Sequence, residues 1–594
     1  MQIGRLWRTV RHLTAEQWAW RAVCRGRRVV MRAAPGLSRA RIGGLAARLP
    51  LPDPASARLA ACAEPVLALQ RAVHGDHPDY VAQGRFRLLN RDYDFGSIEN
   101  VPWRGEFHEG NNPLRRMVLA YMGWAVPLLA RGRAADLAVI CRLLESLVAQ
   151  NPFAAPGVFR DVWNAYTASH RLINLLAGLA LHRAAGAVPD AAAERSVLEH
   201  ARFCAAFVRA NLERDLQYNH LMKNYVALAV YGSGLDRVPP ALALLRDAVP
   251  RSLRQNVLAD GGHAERAPMY HVLALLDVRA LGASGLFAAD WSTMLAETEA
   301  RMAAAVGVMS HPDGDIALFN DSWIGEAPGA AAVADIGATP PRAILPVTGY
   351  ARLGRGGDAV VFDCGPCGPD DNPGHAHADF LSVEVSVAGR RLIVDPGVPT
   401  YTAGRLRDES RSAACHNGPH LAGVEPIEFW KSFRVGRRGT ARVLMYDRLA
   451  GLAPLACAAR QTGYARLGVE VRRWVGLWPG AGVLICDLWL GAERHGPASR
   501  FLIDGGWSVE NGQRPCFVRD GVRVEVRALV GRLGHVGPGC HWPRFGVEMP
   551  AHALAVEPQG GHGVSRAALW LAWSDTPPPE PATLAGLFDR LAGC

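Results

Sequence analysis

The chain has 594 residues, which suggests about two to four domains, and its 49% hydrophobic content is ample for large cores. No apolar run approaches the roughly 20 residues that span a bilayer, so a membrane-spanning class is not expected. The formal charge of +10 is almost all arginine, because Lys223 and Lys431 are the only lysines. A GC-rich genome would give that bias without any function. Guanidinium forks also pair well with carboxylates and sulfates, which favours an acidic ligand; nucleic acid is not expected.

The first 50 residues form a basic segment. Arg5, Arg8, Arg11, Arg21, Arg25, Arg27, Arg28, Arg32, Arg39 and Arg41 face a single acid, Glu16, with Leu6, Trp7, Val10, Leu13, Trp18 and Trp20 interleaved. The favoured reading is a solvated helix docked on the main body; the alternative is an interfacial helix making peripheral contact with an anionic membrane face. No uninterrupted apolar stretch or small-residue cleavage site follows the charges, so the segment does not read as a secretory signal. The only C-x-x-C, Cys364-Gly365-Pro366-Cys367, lies in a Gly/Pro/Asp-rich loop and reads as a loop with two thiols, not a redox motif. Twelve scattered cysteines and no signal favour a reducing compartment. A cytoplasmic location is expected, with a periplasmic or peripheral membrane one as the alternative.

From 51 to about 340, apolar residues three and four apart predict helices over 114–131, 135–150, 166–181, 191–214, 219–231, 240–258 and 291–309. Short Pro/Gly/Asp breaks between them predict antiparallel helix pairs. The Ala/Gly/Pro-rich stretch 327–346 reads as a linker. From 348 to 594, short alternating segments with regular turns predict an antiparallel sandwich, with strands at 359–363, 469–474, 482–490 and 522–529. The fold class is therefore α+β multidomain, a helical domain followed by a β domain.

Within the β domain, Leu381 to Val387 alternates with period two, Ala388-Gly389 turns tightly, and Arg390 to Val394 runs back. This hairpin returns Asp395 to the neighbourhood of His377 in Gly374-His375-Ala376-His377-Ala378-Asp379. His416 follows on a loop. Two imidazoles and a carboxylate suit a divalent metal, zinc first; the bland alternative is surface-loop histidines with no ligand. The helical half carries further polar clusters at Ser169-His170-Arg171, at Asn219-His220 with Asn224, and at Asp260-Gly261-Gly262-His263-Ala264-Glu265-Arg266 running to Tyr270. Asn219 is a good N-cap, but capping does not explain His220 or Asn224. The Gly-Gly turn before a charged helix start suggests side chains aimed into a cleft.

These motifs, with Phe319-Asn320-Asp321-Ser322, Val394-Asp395-Pro396-Gly397 and Arg411-Ser412-Ala413-Ala414-Cys415-His416-Asn417, occur in the order seen in the heparinase II/III-like family of polysaccharide lyases. The chain resembles that family over about residues 100 to 560. The resemblance implies an incomplete (α/α) toroid followed by an antiparallel β-sandwich domain, and cleavage of a uronic-acid glycan by β-elimination. It implies Asn219, His220, Tyr270 and His375 as catalytic residues. Arg171, Asn224, His263, Glu265, Arg266 and Arg411 are expected to contact substrate, with arginines lining the cleft. His377, Asp395 and His416 would hold a structural metal, usually zinc. Lys223 departs from relatives that carry an acid there, and the basic N-terminal region has no counterpart in secreted degradative members. A setting in bacterial exopolysaccharide or O-antigen metabolism is therefore the more attractive one. The rival readings are a non-catalytic acidic-glycan-binding protein on the same fold and a metal-dependent glycan hydrolase.

Overall fold

The computed structural model describes residues 2–594 except 77, 108–111, 189, 445–451, 493 and 512–513. The helices Ala165–Ala184 and Tyr218–Ser233 are buried around nearly their whole circumference. A helix with no polar stripe must be surrounded by other elements. These two pack on each other and reach Ala57–His74 and Pro268–Ala283, which also pack together, so four helices close an inner ring. Ala191–Ala210, Leu245–Asn256 and Ala288–Val308 each pack outside the inner helix that precedes them. The helix expected over 114–131 is two, Leu114–Tyr121 and Ala125–Leu129. Met122 takes a φ of 56°, and Gly123 lies so close to the Gln70 amide that a Cβ would collide with it.

Among the described residues the β half is built on two antiparallel sheets of ten and nine strands, with Phe429–Trp430 and Arg434–Val435 as a separate pair. Val360, Val385 and Ile503 of the first share one core with Val475, Ile485 and Leu571 of the second. The outer face of the second sheet is covered by the terminal helix Pro581–Gly593, whose Leu584, Leu587 and Leu591 sit on Trp474, Leu484 and Trp570. The outer face of the first sheet meets the helical half, where Leu345, Tyr350 and Val361 pack with Val308, Met309 and Phe319. A fully buried His311 locks this junction, with Nε2 2.7 Å from Glu384 Oε2 and Nδ1 2.8 Å from Ser386 Oγ on the strand Val383–Val387. The first strand, Arg342–Leu345, lies within the stretch read as linker. The hairpin pairs Val383–Val387 with Arg390–Ile393, and Ala388 and Gly389 both take positive φ, 50° and 80°, as a two-residue turn of this hand requires.

The basic segment folds as helices Gln2–Val10, Ala15–Ala33 and Pro35–Ala46. It docks on both halves through polar contacts. Arg8 forks onto Glu428 with two 2.7 Å bonds and holds that carboxyl down to about 2. Trp430 Nε1 donates to Thr9 Oγ1 at 2.9 Å, and Gln17 Nε2 donates to Asp371 Oδ2 at 2.9 Å.

Candidate active site

One wall of the site comes from the start of the Tyr218–Ser233 helix. Gln217 and Tyr218 take positive φ, 59° and 43°, which is strained for residues with a Cβ. The Tyr218 hydroxyl holds this turn by donating to Asp371 Oδ1 at 2.5 Å on a β-half loop. Gln217 is the N-cap position and makes no side-chain cap bond, so Asn219 lies inside the first turn and does not act as the cap its residue type invites. The Asn219 Oδ1 is buried without a protein partner. A buried amide oxygen left unpaired is costly unless a ligand uses the group.

His220 Nδ1 lies 3.3 Å from Glu213 Oε1, and its ring lies 4.4 Å from that of Tyr166. Burial disfavours the charged imidazole, but the Glu213 carboxylate outweighs it and the pKa is raised. Asn224 fixes Glu213 from behind: its Nδ2 donates to Glu213 Oε2 and to Ser169 Oγ, both at 3.1 Å.

The second wall begins at the Asp260 turn. Gly261 takes a φ of 90°, and a Cβ at Gly262 would collide with Thr348. This close approach lets Asp260 Oδ2 accept from the backbone N–H groups of Val347 and Thr348 at 2.7 and 2.8 Å. The turn thus ties the helical half to the start of the β half and positions Glu265 and Tyr270. The Glu265 carboxyl has its Oε2 buried without a hydrogen-bond partner, and burial raises its pKa. The Tyr270 hydroxyl is 3.4 Å from that of Tyr401, and burial raises its pKa above the ordinary phenol range.

The β half closes the site with His375. Its ring is 4.1 Å from the Tyr270 ring, and its Nε2 is 3.9 Å from Glu265 Oε2. Its Nδ1 is 3.0 Å from Asp321 Oδ2, which orients the ring and leaves Nε2 on the Glu265 side. Asp321 is fully buried and also pairs with His377 Nε2 at 3.0 Å and with Arg407 at 2.6 and 2.8 Å. Burial alone would raise its pKa, but Arg407 and the two histidines hold it well below the carboxylate range. A cavity of about 100 Å³ adjoins Tyr270, lined by Tyr121, His170, Trp323, Glu326 and Tyr401 among others. Burial lifts the Glu326 carboxyl there to about 7.

The three residues read as metal ligands are also neighbours. His377 and His416 have ring centroids 5.3 Å apart, and His377 Nδ1 and His416 Nε2 are both buried without a partner. Burial lowers His377 to about 3, so it is the neutral imidazole that a metal needs. Asp395 Oδ2 sits on the other nitrogen, 2.8 Å from His416 Nδ1. Among the described residues no group of three or more His, Cys, Asp or Glu converges as a complete ligand set. The two orphaned nitrogens fit a metal; Asp395, as placed, supports His416 from behind.

Several residues expected to contact substrate are structural instead. Arg171 is fully buried, its guanidinium on Ala120 O and Val162 O and its Nε on His200. Arg411 is fully buried on Ser432 O, Lys431 O and Asp408, and burial lowers it to about 10. Arg266 donates to the carbonyls of Thr348, Ala264 and Val347. Asn224 holds Glu213, and His263 is 1% exposed, its backbone N–H on His271 Nδ1. Of that set only Glu265 lies beside the catalytic groups. The arginines expected to line the cleft are engaged with protein, because each finds a carbonyl or carboxylate in the interior. Sequence reading gave no role to Glu213, Asp321, Tyr401 or Arg407. Asp321 was visible within its motif, and Glu213 as an acid near the end of the helix predicted over 191–214, just before Asn219-His220.

Residues 337–546 match the family profile described as heparinase II/III-like, C-terminal. That match covers the larger part of the β half. Over most of its length the chain shares the fold of solved structures of heparinase III and a heparan sulfate lyase. It superposes on a heparinase III crystal structure with a TM-score of 0.64 at 15% identity, covering 86% of this chain and 85% of that one. A mutant heparan sulfate lyase HepC from Pedobacter heparinus gives 0.57 at 17% identity, covering 84% and 83%. Among curated proteins, the FtsZ-localized protein C of Caulobacter vibrioides is 29% identical over 298 residues, 46% of this chain. The chain spans about half the length of that relative, 51%. The β half thus supplies His375 and the His377–His416 pair, while the helical ring supplies Asn219, His220 and Tyr270.

Proposed function

We propose that this protein is a polysaccharide lyase that cleaves a uronic-acid glycan by β-elimination. The observation that carries the reading is the meeting of Tyr270 and His375 across the domain junction, opposite the Asn219–His220 turn. Elimination needs the uronate carboxylate neutralised, the C5 proton removed and the departing oxygen protonated. Asn219, with an unpaired amide oxygen and its own donors, and His220, favoured as imidazolium by Glu213, suit the carboxylate. His375 Nε2, oriented by Asp321, suits the base. Tyr270 is held as the phenol and suits the acid. In that assignment the C5 proton passes to His375, the C4–O bond breaks, a C4=C5 double bond forms, and Tyr270 gives its proton to the leaving oxygen.

His377 and His416 would hold a divalent metal, zinc first, with Asp395 in support; bound there it would stiffen the loop that carries His375. The engaged arginines favour a substrate whose charge is carboxylate only, because sulfates would find few open guanidinium groups near the catalytic residues. The test is the ultraviolet absorbance of an unsaturated uronate on incubation with acidic polysaccharides. Binding of such a glycan with no absorbance would leave the non-catalytic reading instead.

A further inference from the structure

The first helix of the basic N-terminal segment docks the wrong way round for a soluble helix. In the Gln2–Val10 helix the polar residues Arg8 and Thr9 face the body, while Ile3, Leu6 and Trp7 are 86%, 47% and 64% exposed. Their spacing of three and four puts them on one face. The Ala15–Ala33 helix buries two apolar residues and one polar one, yet it too leaves an apolar strip outside. Gln17, Cys24 and Met31 are its buried residues, whereas Trp18, Ala22, Gly26, Val29, Val30 and Ala33 run along its exposed side. Exposed Arg25, Arg28 and Arg32 flank that strip. Of the fourteen large hydrophobic side chains exposed in the described chain, nine fall between Ile3 and Leu45, so the apolar surface is concentrated and not scattered.

The same segment carries eleven arginines against one acid in its first 50 residues. Beside it opens a groove of about 740 Å³, with Met31, Ile42 and Leu49 in its lining together with Arg27, Arg41 and Arg48. Among the described residues no helix is long and apolar enough to cross a membrane. An apolar strip flanked by arginines on a helix too polar to span is the pattern of a surface that lies in the headgroup region of a bilayer. We infer that residues 2–48 dock this protein on an anionic lipid surface, with Trp7, Trp18 and Val29 entering the interface and Arg25 and Arg32 pairing with lipid phosphates. Charge complementarity selects the occupant: the strip's flanks would repel a second copy of themselves, whereas anionic headgroups neutralise them.

The test uses the full chain and vesicles, with no glycan present, so its outcome is separate from the lyase reading. Sedimentation with vesicles of equal parts phosphatidylglycerol and phosphatidylcholine should carry the protein down, and phosphatidylcholine alone should not. The combined Trp7→Glu, Trp18→Glu and Val29→Glu variant should lose binding. Arg25→Gln with Arg32→Gln should weaken it about 25-fold, at about a factor of five per arginine near an anionic surface. Unchanged thermal melting of the arginine variant keeps that readout clear of misfolding. No binding to the anionic vesicles, or equal binding by the wild type and both variants, overturns the inference. So does light scattering that finds a dimer split by the triple variant, because the exposed face would then be covered by a second copy.

Discussion

Replacing Tyr270 by Phe separates chemistry from folding. The Tyr270 hydroxyl makes one protein contact, 3.4 Å to Tyr401, which is at the outer limit of a hydrogen bond. Its loss should lower stability by less than about 1 kcal/mol. The ring would stay against His375, whose centroid is 4.1 Å away. The missing proton is a different matter: a positioned acid contributes at least ~10²-fold, or about 2.7 kcal/mol of barrier. The assay is the initial rate of unsaturated-uronate absorbance at saturating substrate, set beside a thermal melt of the same sample. The expected outcome is a melt close to wild type with a rate down by ~10² or more. A folded Tyr270→Phe protein that turns over at nearly the wild-type rate would refute the role of the hydroxyl, and with it the geometry argued from the Tyr270–His375 contact.

Other perturbations reach the remaining parts of the site. Glu213 raises the His220 pKa, so the imidazolium and any stability it brings are present at low pH and lost as pH rises through that raised value. Glu213→Gln removes the raising partner and leaves burial, so the alkaline limb of the kcat/KM profile should move to lower pH; an unmoved limb means His220 does not act as the charged neutraliser. Arg407→Leu should destabilise the fold by about 3–5 kcal/mol in denaturant titrations, because it leaves a fully buried Asp321 without its main counter-charge; a loss below about 1 kcal/mol would show that the histidines alone suffice. His377→Ala should lose bound metal by elemental analysis, while His375→Ala keeps it and loses activity. The reverse result would mean that the two histidines have been assigned the wrong way round.

The layout was legible because it rests on periodicity. The apolar spacing over 166–181 and 219–231 marks two helices that the structure places at Ala165–Ala184 and Tyr218–Ser233, and the 383–393 hairpin announces itself by alternation and by its turn. Asn219, His220, Tyr270 and His375 stood out because they sit in short motifs whose residue types have no packing purpose. What a side chain finds in the interior was not legible. Arg171, Arg266 and Arg411 read like open guanidinium groups, yet each meets carbonyl oxygens contributed from far along the chain or across a turn. Asn219 read as a cap because the strained turn at Gln217 and Tyr218, which shifts the helix start, depends on Asp371 in the other half. The N-terminal helices showed their composition but not which face would dock, since a soluble helix ordinarily buries its apolar side.

The central claim is elimination at a uronate, and the most direct measurement is product absorbance from the purified full chain on a panel of unsulfated and sulfated uronic-acid polysaccharides. The account predicts a rise in unsaturated-uronate absorbance with at least one unsulfated polymer, larger than with its sulfated counterpart, and abolished in Tyr270→Phe. Depolymerisation of an acidic glycan into saturated ends, with no rise in absorbance, would contradict it.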